Sequence, residues 1–191
     1  MRRVGILGGT FDPPHNAHLV MAETARDRVP LDKVLLMPAP RPPQKQKASA
    51  TEFDKRVEMV RLAIDGRRGL ELSLMEELRS GPSYTVELLK YFHESFGREP
   101  YYILGADSVA DLPSWKYPSV VLSLATLVVF PRTGYSSLVP VEGDASIFLF
   151  EEPVIDISST EIRKRIRSGE SVRDLLPQKV HQFILDNGLY T

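Results

Sequence analysis

Val4-Gly5-Ile6-Leu7-Gly8-Gly9-Thr10-Phe11-Asp12-Pro13-Pro14-His15-Asn16-Ala17-His18 is a short apolar run that breaks into a glycine pair and leads to an apolar stretch of helical period. The glycines remove Cβ bulk where a backbone must come close to an anion. A helix starting at Asn16 points unpaired N–H groups and a partial positive charge at the same place. His15 and His18, three residues apart at that start, share one face and can reach one phosphate group. The junction therefore predicts a phosphate cradle carrying two imidazoles. A plainer reading, with His15 capping the helix and His18 packing, competes with it, and the glycine turn and histidine spacing together favour phosphate.

Beyond this junction, short apolar runs alternate with helical patterns, the mark of βαβ units and a parallel sheet. Strands are expected at Arg3 to Leu7, Val34 to Met37, Leu70 to Leu74, Tyr101 to Leu104, Thr126 to Phe130 and Ile147 to Phe150. Helices are expected at Asn16 to Arg28, Phe53 to Ile64, Tyr84 to Phe96 behind a Ser83 cap, and Pro118 to Ala125. Ser158-Ser159-Thr160-Glu161 has capping-box spacing ahead of a helix through Arg167, and Pro177 to Asn187 closes the pattern with Gly188 as its C-cap. Pro38 to Ala50 and Gly134 to Ala145 read as irregular. The fold class is α/β: a Rossmann-like doubly wound parallel sheet with helices on both faces, one domain over residues 1–191, its helical portion from about residue 158 packed on the rest. In such sheets a ligand sits beyond the carboxyl ends of the strands where strand order reverses. Gly8-Gly9 and Gly105-Ala106-Asp107 are both such ends and are expected to face each other.

Composition sets outer limits. With 191 residues, 42% hydrophobic, 26% charged and a formal net charge of −1, the chain has no electrostatic footprint for nucleic acid. An anion must be held locally. Zero cysteines leave no disulfide framework and no thiolate ligand or nucleophile. Arg2-Arg3 precedes too short an apolar stretch for a secretory signal, and no run approaches the ~18 residues of a membrane span, so a cytoplasmic protein is expected.

Gly8-Gly9-Thr10-Phe11-Asp12-Pro13 with His15 and His18 resembles the nucleotidyltransferase superfamily signature G-G-[ST]-F-D-P followed by H-x-G-H. Ile157-Ser158-Ser159-Thr160-Glu161-Ile162-Arg163 resembles its second signature, I-S-S-T-x-I-R. Between them, Pro42-Pro43-Gln44-Lys45, Pro82-Ser83-Tyr84-Thr85, Leu104-Gly105-Ala106-Asp107-Ser108, Pro113-Ser114-Trp115 and Pro131-Arg132-Thr133-Gly134-Tyr135 follow the order of the bacterial nicotinate-nucleotide adenylyltransferase family. The resemblance implies adenylyl transfer from ATP to nicotinate mononucleotide, giving deamido-NAD and pyrophosphate in NAD biosynthesis, with Mg²⁺ as cofactor. Two positions depart from the pattern. Ala17 stands where the family has Gly, adding one methyl on a helix face, and Gln44 stands where it has His, keeping a donor and losing a charge.

On that basis His18 is expected to donate to the α-phosphate, with His15 toward the phosphate tail and Thr10 supporting. Gly8 and Gly9 line the ATP cradle. Ser158, Ser159 and Arg163 form its other wall, though a plain capping box with a solvated basic helix is the alternative. Lys45 belongs to a basic loop that either closes over triphosphate or stays solvated. Gly105 and Asp107 meet the adenosine end, Asp107 serving ribose hydroxyls, a helix N-cap, or both. Arg132 lies along adenine or phosphates. Asp12, ahead of two prolines, reads as a turn residue. Backbone N–H groups at Tyr84 and Thr85 favour nicotinate's carboxylate over a neutral amide, and Trp115 can stack on the pyridinium. No protein metal ligand is singled out.

The expected partners are ATP and the mononucleotide, with neither nucleic acid nor membrane; a homo-oligomer stays open. A same-superfamily enzyme acting on nicotinamide mononucleotide or phosphopantetheine, and a non-catalytic nucleotide-binding module, stand as alternatives. A dehydrogenase is poorly supported because Gly5-Ile6-Leu7-Gly8-Gly9 lacks G-x-G-x-x-G spacing.

Overall fold

The computed structural model describes residues 3–42, 51–78, 80–135, 146–153 and 156–191. The expectations for Gln44 and Lys45, and for most of the two irregular stretches, lie outside the described residues. Strands Val4–Gly9 (β1), Lys33–Pro38 (β2), Leu70–Leu72 (β3), Tyr101–Gly105 (β4), Thr126–Phe130 (β5) and Ile147–Leu149 (β6) form one sheet of order β3-β2-β1-β4-β5-β6, every neighbouring pair parallel. Strand order reverses between β1 and β4, so their carboxyl ends open a crevice there.

Continuous apolar strands are what a sheet covered on both faces requires. Because successive side chains alternate, Leu7, Val34, Leu36, Ile103, Val128 and Phe130 face one layer of helices, and Val4, Ile6, Leu35, Met37, Leu104, Leu127 and Val129 face the other. The first layer is Asn16–Arg28 (α1), Phe53–Ile64 (α2), Ser159–Arg167 (α6) and Gln178–Asp186 (α7), contributing Leu19, Met59, Ile162 and Val180 among others. The second is Thr85–Phe96 (α3), Ala106–Ala110 (α4) and Pro118–Ser123 (α5), contributing Leu89, Val109 and Val121. Among the described residues no helix is long and apolar enough to cross a membrane.

Two local expectations are corrected and one is met. Ser83 does not cap α3: Tyr84 holds the N-cap position without a side-chain bond. Ser83 instead exchanges bonds with Arg41, its Oγ accepting the Arg41 N–H at 3.1 Å and its own N–H reaching the Arg41 carbonyl at 2.9 Å. A serine beside another strand's exit is drawn into that tertiary pairing. Asp107 does not cap the short helix α4 that follows β4: Gly105 is its N-cap, which leaves Asp107 inside the first turn. Gly188, φ 56°, does end α7, with Leu189 N–H bonded to the Ile184 carbonyl and Gly188 N–H to that of Leu185.

The largest fully buried side chain is charged. Arg56 of α2, 2% exposed, donates from Nε to the Thr51 carbonyl at 2.9 Å and from Nη1 to those of Thr10 at 2.7 Å and Ala39 at 2.9 Å. Burial pulls its pKa down, and the charge of Asp12 opposes that shift. The guanidinium thus joins the segments leaving β1 and β2. Arg56→Met, similar in bulk, strands three carbonyls and removes the positive charge near Asp12, and is expected to lower unfolding free energy in urea by about 3 to 5 kcal/mol. A loss below about 1 kcal/mol would show that water serves those carbonyls instead.

Candidate active site

The carboxyl ends of β1, β4 and β5, with the starts of α1, α3 and α6, surround a cavity of about 590 Å³. Gly8, Gly9, Thr10, His15 and His18 line it together with Gly105, Asp107 and Arg132, Ser158 and Ser159, and Tyr84, Thr85 and Trp115. The sequence-predicted residues therefore converge, with two exceptions. Lys45 lies outside the described residues. Arg163 does not line the cavity: its Nη1 donates to the Asp12 carbonyl at 2.7 Å and Nη2 to Thr160 Oγ1 at 3.3 Å, so it braces the turn from behind.

The glycines act as spacers more than as conformational specialists. A Cβ on Gly8 would stand 2.9 Å from the Tyr102 hydroxyl, and one on Gly105 only 2.5 Å from Asp107 Oδ1. The unusual backbone belongs to Phe11, whose φ of 51° is strained for a bulky residue. Its ring is buried and meets the His18 ring edge-on, centroids 4.8 Å apart.

His15 is the N-cap residue of α1 and His18 is three residues in. The rings stack, centroids 3.8 Å apart and planes 25° apart. The His15 N–H donates to His18 Nδ1 at 3.1 Å, replacing the carboxylate that usually closes such a box. An accepting Nδ1 leaves the neutral ring's proton on Nε2, which makes His18 a donor at that atom. His15 is 4% exposed, and its Nδ1 has no hydrogen-bond partner among the described residues. Burial, then the charges of His18 and Arg132, hold the His15 pKa well below its ordinary value. His15 is therefore a neutral imidazole at pH 7.

Arg132 Nη1 lies 3.3 Å from Asp107 Oδ2, an ion pair between the strand ends of β5 and β4. Ser158 Oγ accepts the Glu161 N–H at 3.1 Å, the cap its spacing predicts, and Ser159 Oγ donates to the Pro13 carbonyl at 2.9 Å. Lys116, which also lines the cavity, pairs through Nζ with Glu87 at 3.0 Å and lies over the Tyr84 ring, 4.8 Å from its centroid. Two cavity residues carried no sequence signal of function. Tyr102 looks like any strand residue, yet its hydroxyl stands 3.4 Å from Thr85 Oγ1, and burial, opposed by Thr85 and aided by Glu76, pushes the phenol up to about 12. Glu76, itself buried, also lines the cavity. Among the described residues no three His, Asp or Glu side chains gather as metal ligands.

Sheet order, glycine turn and histidine pair together define a nucleotidyltransferase-type site, and the cytidylyltransferase-like family model matches residues 6–165. Over the whole chain, the sequence is 38% identical to a probable nicotinate-nucleotide adenylyltransferase of Clostridium tetani, covering 100% of both chains. It is 37% identical to the nicotinate-nucleotide adenylyltransferase of Bacillus subtilis, covering 100% of this chain and 99% of that one. The chain belongs to the nicotinate-nucleotide adenylyltransferase family. The fold also matches the Plasmodium falciparum nicotinic acid mononucleotide adenylyltransferase solved with NaAD, at TM-score 0.83 and 21% identity, covering 100% of this chain and 98% of that one.

The depressed His15 pKa has a thermodynamic consequence. Below an ordinary value near ~6.5 the unfolded imidazole takes up a proton that the folded one does not, so stability falls as pH drops from there toward the lowered folded value. The urea midpoint is expected to decline between about pH 7 and pH 5.5, and to decline less in His15→Gln. An equal decline in both proteins would assign the acid sensitivity to other groups.

Proposed function

We propose that this protein transfers the adenylyl group of ATP to nicotinate mononucleotide, giving deamido-NAD and pyrophosphate in NAD biosynthesis. A phosphate oxygen of the mononucleotide attacks the α-phosphorus in line; the bond from that phosphorus to the bridging oxygen breaks, and pyrophosphate leaves with the electron pair. Such chemistry asks a protein mainly for positioning and charge stabilisation. The observation that carries the reading is the bond from the His15 N–H to His18 Nδ1, which leaves the proton of the neutral His18 ring on Nε2, a donor atom beside the glycine turn. His15, neutral and buried, offers a second ring beside it, with Thr10 supporting.

In this reading Gly8 and Gly9 admit the triphosphate, and Ser158 and Ser159 at the start of α6 add helix N–H groups. Arg163 serves the site by holding the Asp12 carbonyl, with donors left over for phosphate. Gly105 gives the adenosine close approach, and Arg132 parts from Asp107 to meet ligand, freeing the carboxylate for ribose hydroxyls. The first N–H groups of α3, at Tyr84 and Thr85, take the pyridine carboxylate, Lys116 adds positive charge, and Trp115 stacks on the ring. Mg²⁺ would be held chiefly by the nucleotide's phosphates and water, the mode that fits a site without gathered carboxylates, and supplies charge neutralisation there. A cytoplasmic setting suits both substrates and the cysteine-free chain.

Purified protein with Mg²⁺ and ATP is expected to release pyrophosphate at least ~10-fold faster with nicotinate than with nicotinamide mononucleotide, the difference that an unpaired acid-binding site imposes. Comparable rates would remove the acid preference, and turnover with neither would remove the substrate class. His18→Ala is expected to keep the fold and lose at least ~10²-fold in turnover, the size of one preorganised donor. Near-normal turnover in that variant would return His18 to a packing role.

A further inference from the structure

The turn that carries the imidazoles is gripped from behind by a side chain 178 positions away, the Tyr190 hydroxyl, which donates to Asp12 Oδ1 at 2.6 Å. Asp12 is 3% exposed, its Oδ2 accepts from the Thr51 N–H at 3.4 Å and its carbonyl from Arg163 Nη1 at 2.7 Å. Neither Asp12 nor Tyr190 lines the cavity, whereas Thr10 and His15 on either side of Asp12 do. Asp12 is thus the back of a turn whose front faces substrate. Tyr190 reaches it because Gly188 reverses the chain after α7, and because Tyr190 itself adopts φ 69°. A tyrosine enters that left-handed region only against a conformational cost, which this bond helps to offset. Burial, and then the bond to Asp12, raise the phenol's pKa well above its ordinary value, so the hydroxyl remains a donor.

We propose that Tyr190 is a positioning residue for the adenylyl transfer: by anchoring Asp12 it fixes the turn at which His15 and His18 are aimed. The proposal rests on the reaction assigned above. A displacement of about 1 Å at the reacting centre costs up to ~10²-fold in rate, so an anchor on the far side of the turn matters to chemistry without touching substrate.

Tyr190→Phe removes one oxygen and leaves the ring. It is expected to stay folded, to lose about 10- to 100-fold in kcat, and to keep KM for ATP and nicotinate mononucleotide within ~3-fold. In the ligand-free protein the ring nitrogen signals of His15 and His18 should move in the NMR spectrum while those of His93, on α3, stay. Site-specific 4-aminophenylalanine at position 190, which restores an N–H donor there, should recover most of the turnover. If the Phe variant does not fold, 4-methylphenylalanine, of tyrosine's size but without a donor, replaces it in the comparison with 4-aminophenylalanine, and the same split is expected. A folded donor-free variant with wild-type kcat and unmoved ring signals overturns the proposal, and so does a 4-aminophenylalanine protein as slow as the donor-free one. Wild-type protein inert toward ATP and nicotinate mononucleotide would overturn the reaction instead; the ring signals would then decide the positioning alone.

Discussion

A chain that leaves β1 and enters α1 through six described residues, most of them buried, has carbonyls that must be paired inside the protein. Three of them are paired from elsewhere in the fold. Arg56 takes the Thr10 carbonyl, Arg163 that of Asp12, and Ser159 that of Pro13. Each donor serves one carbonyl of one short segment, so the turn has little room to relax into another shape. The strained Phe11 backbone is the visible cost of that shape.

On this turn the two imidazoles form a stacked pair, and burial holds His15 neutral. What His15 brings to the cavity is therefore hydrogen-bonding capacity rather than charge. Arg132 and Lys116, which also line the cavity, are each paired with a carboxylate, Asp107 and Glu87 respectively.

Much of this was legible in the sequence because it is local. The glycine pair, His15 and His18 lie within one strand-turn-helix unit, and the strands alternate residue by residue as a doubly covered sheet demands. Ser158 caps α6 because the cap depends only on Glu161, three residues on. What escaped reading depends on tertiary partners. Ser83 looks like a cap until Arg41 is seen beside it, and Arg56 looks like one charge on an amphipathic helix until three carbonyls close around it. Arg163 matched a phosphate-binding pattern, and its bond to the Asp12 carbonyl is invisible without knowing where Asp12 lies. Tyr102 reaches the cavity from β4 and Glu76 from the turn that follows β3, placements that no local pattern announces.

The bonds that hold the turn span 46, 146, 151 and 178 residues of sequence. Contacts of such separation form late, because loop closure must precede them. A partly folded chain can therefore own a sheet and most of its helices while its imidazoles remain unaimed. Catalytic competence, in this protein, should appear as one of the last events of refolding, behind the recovery of secondary structure.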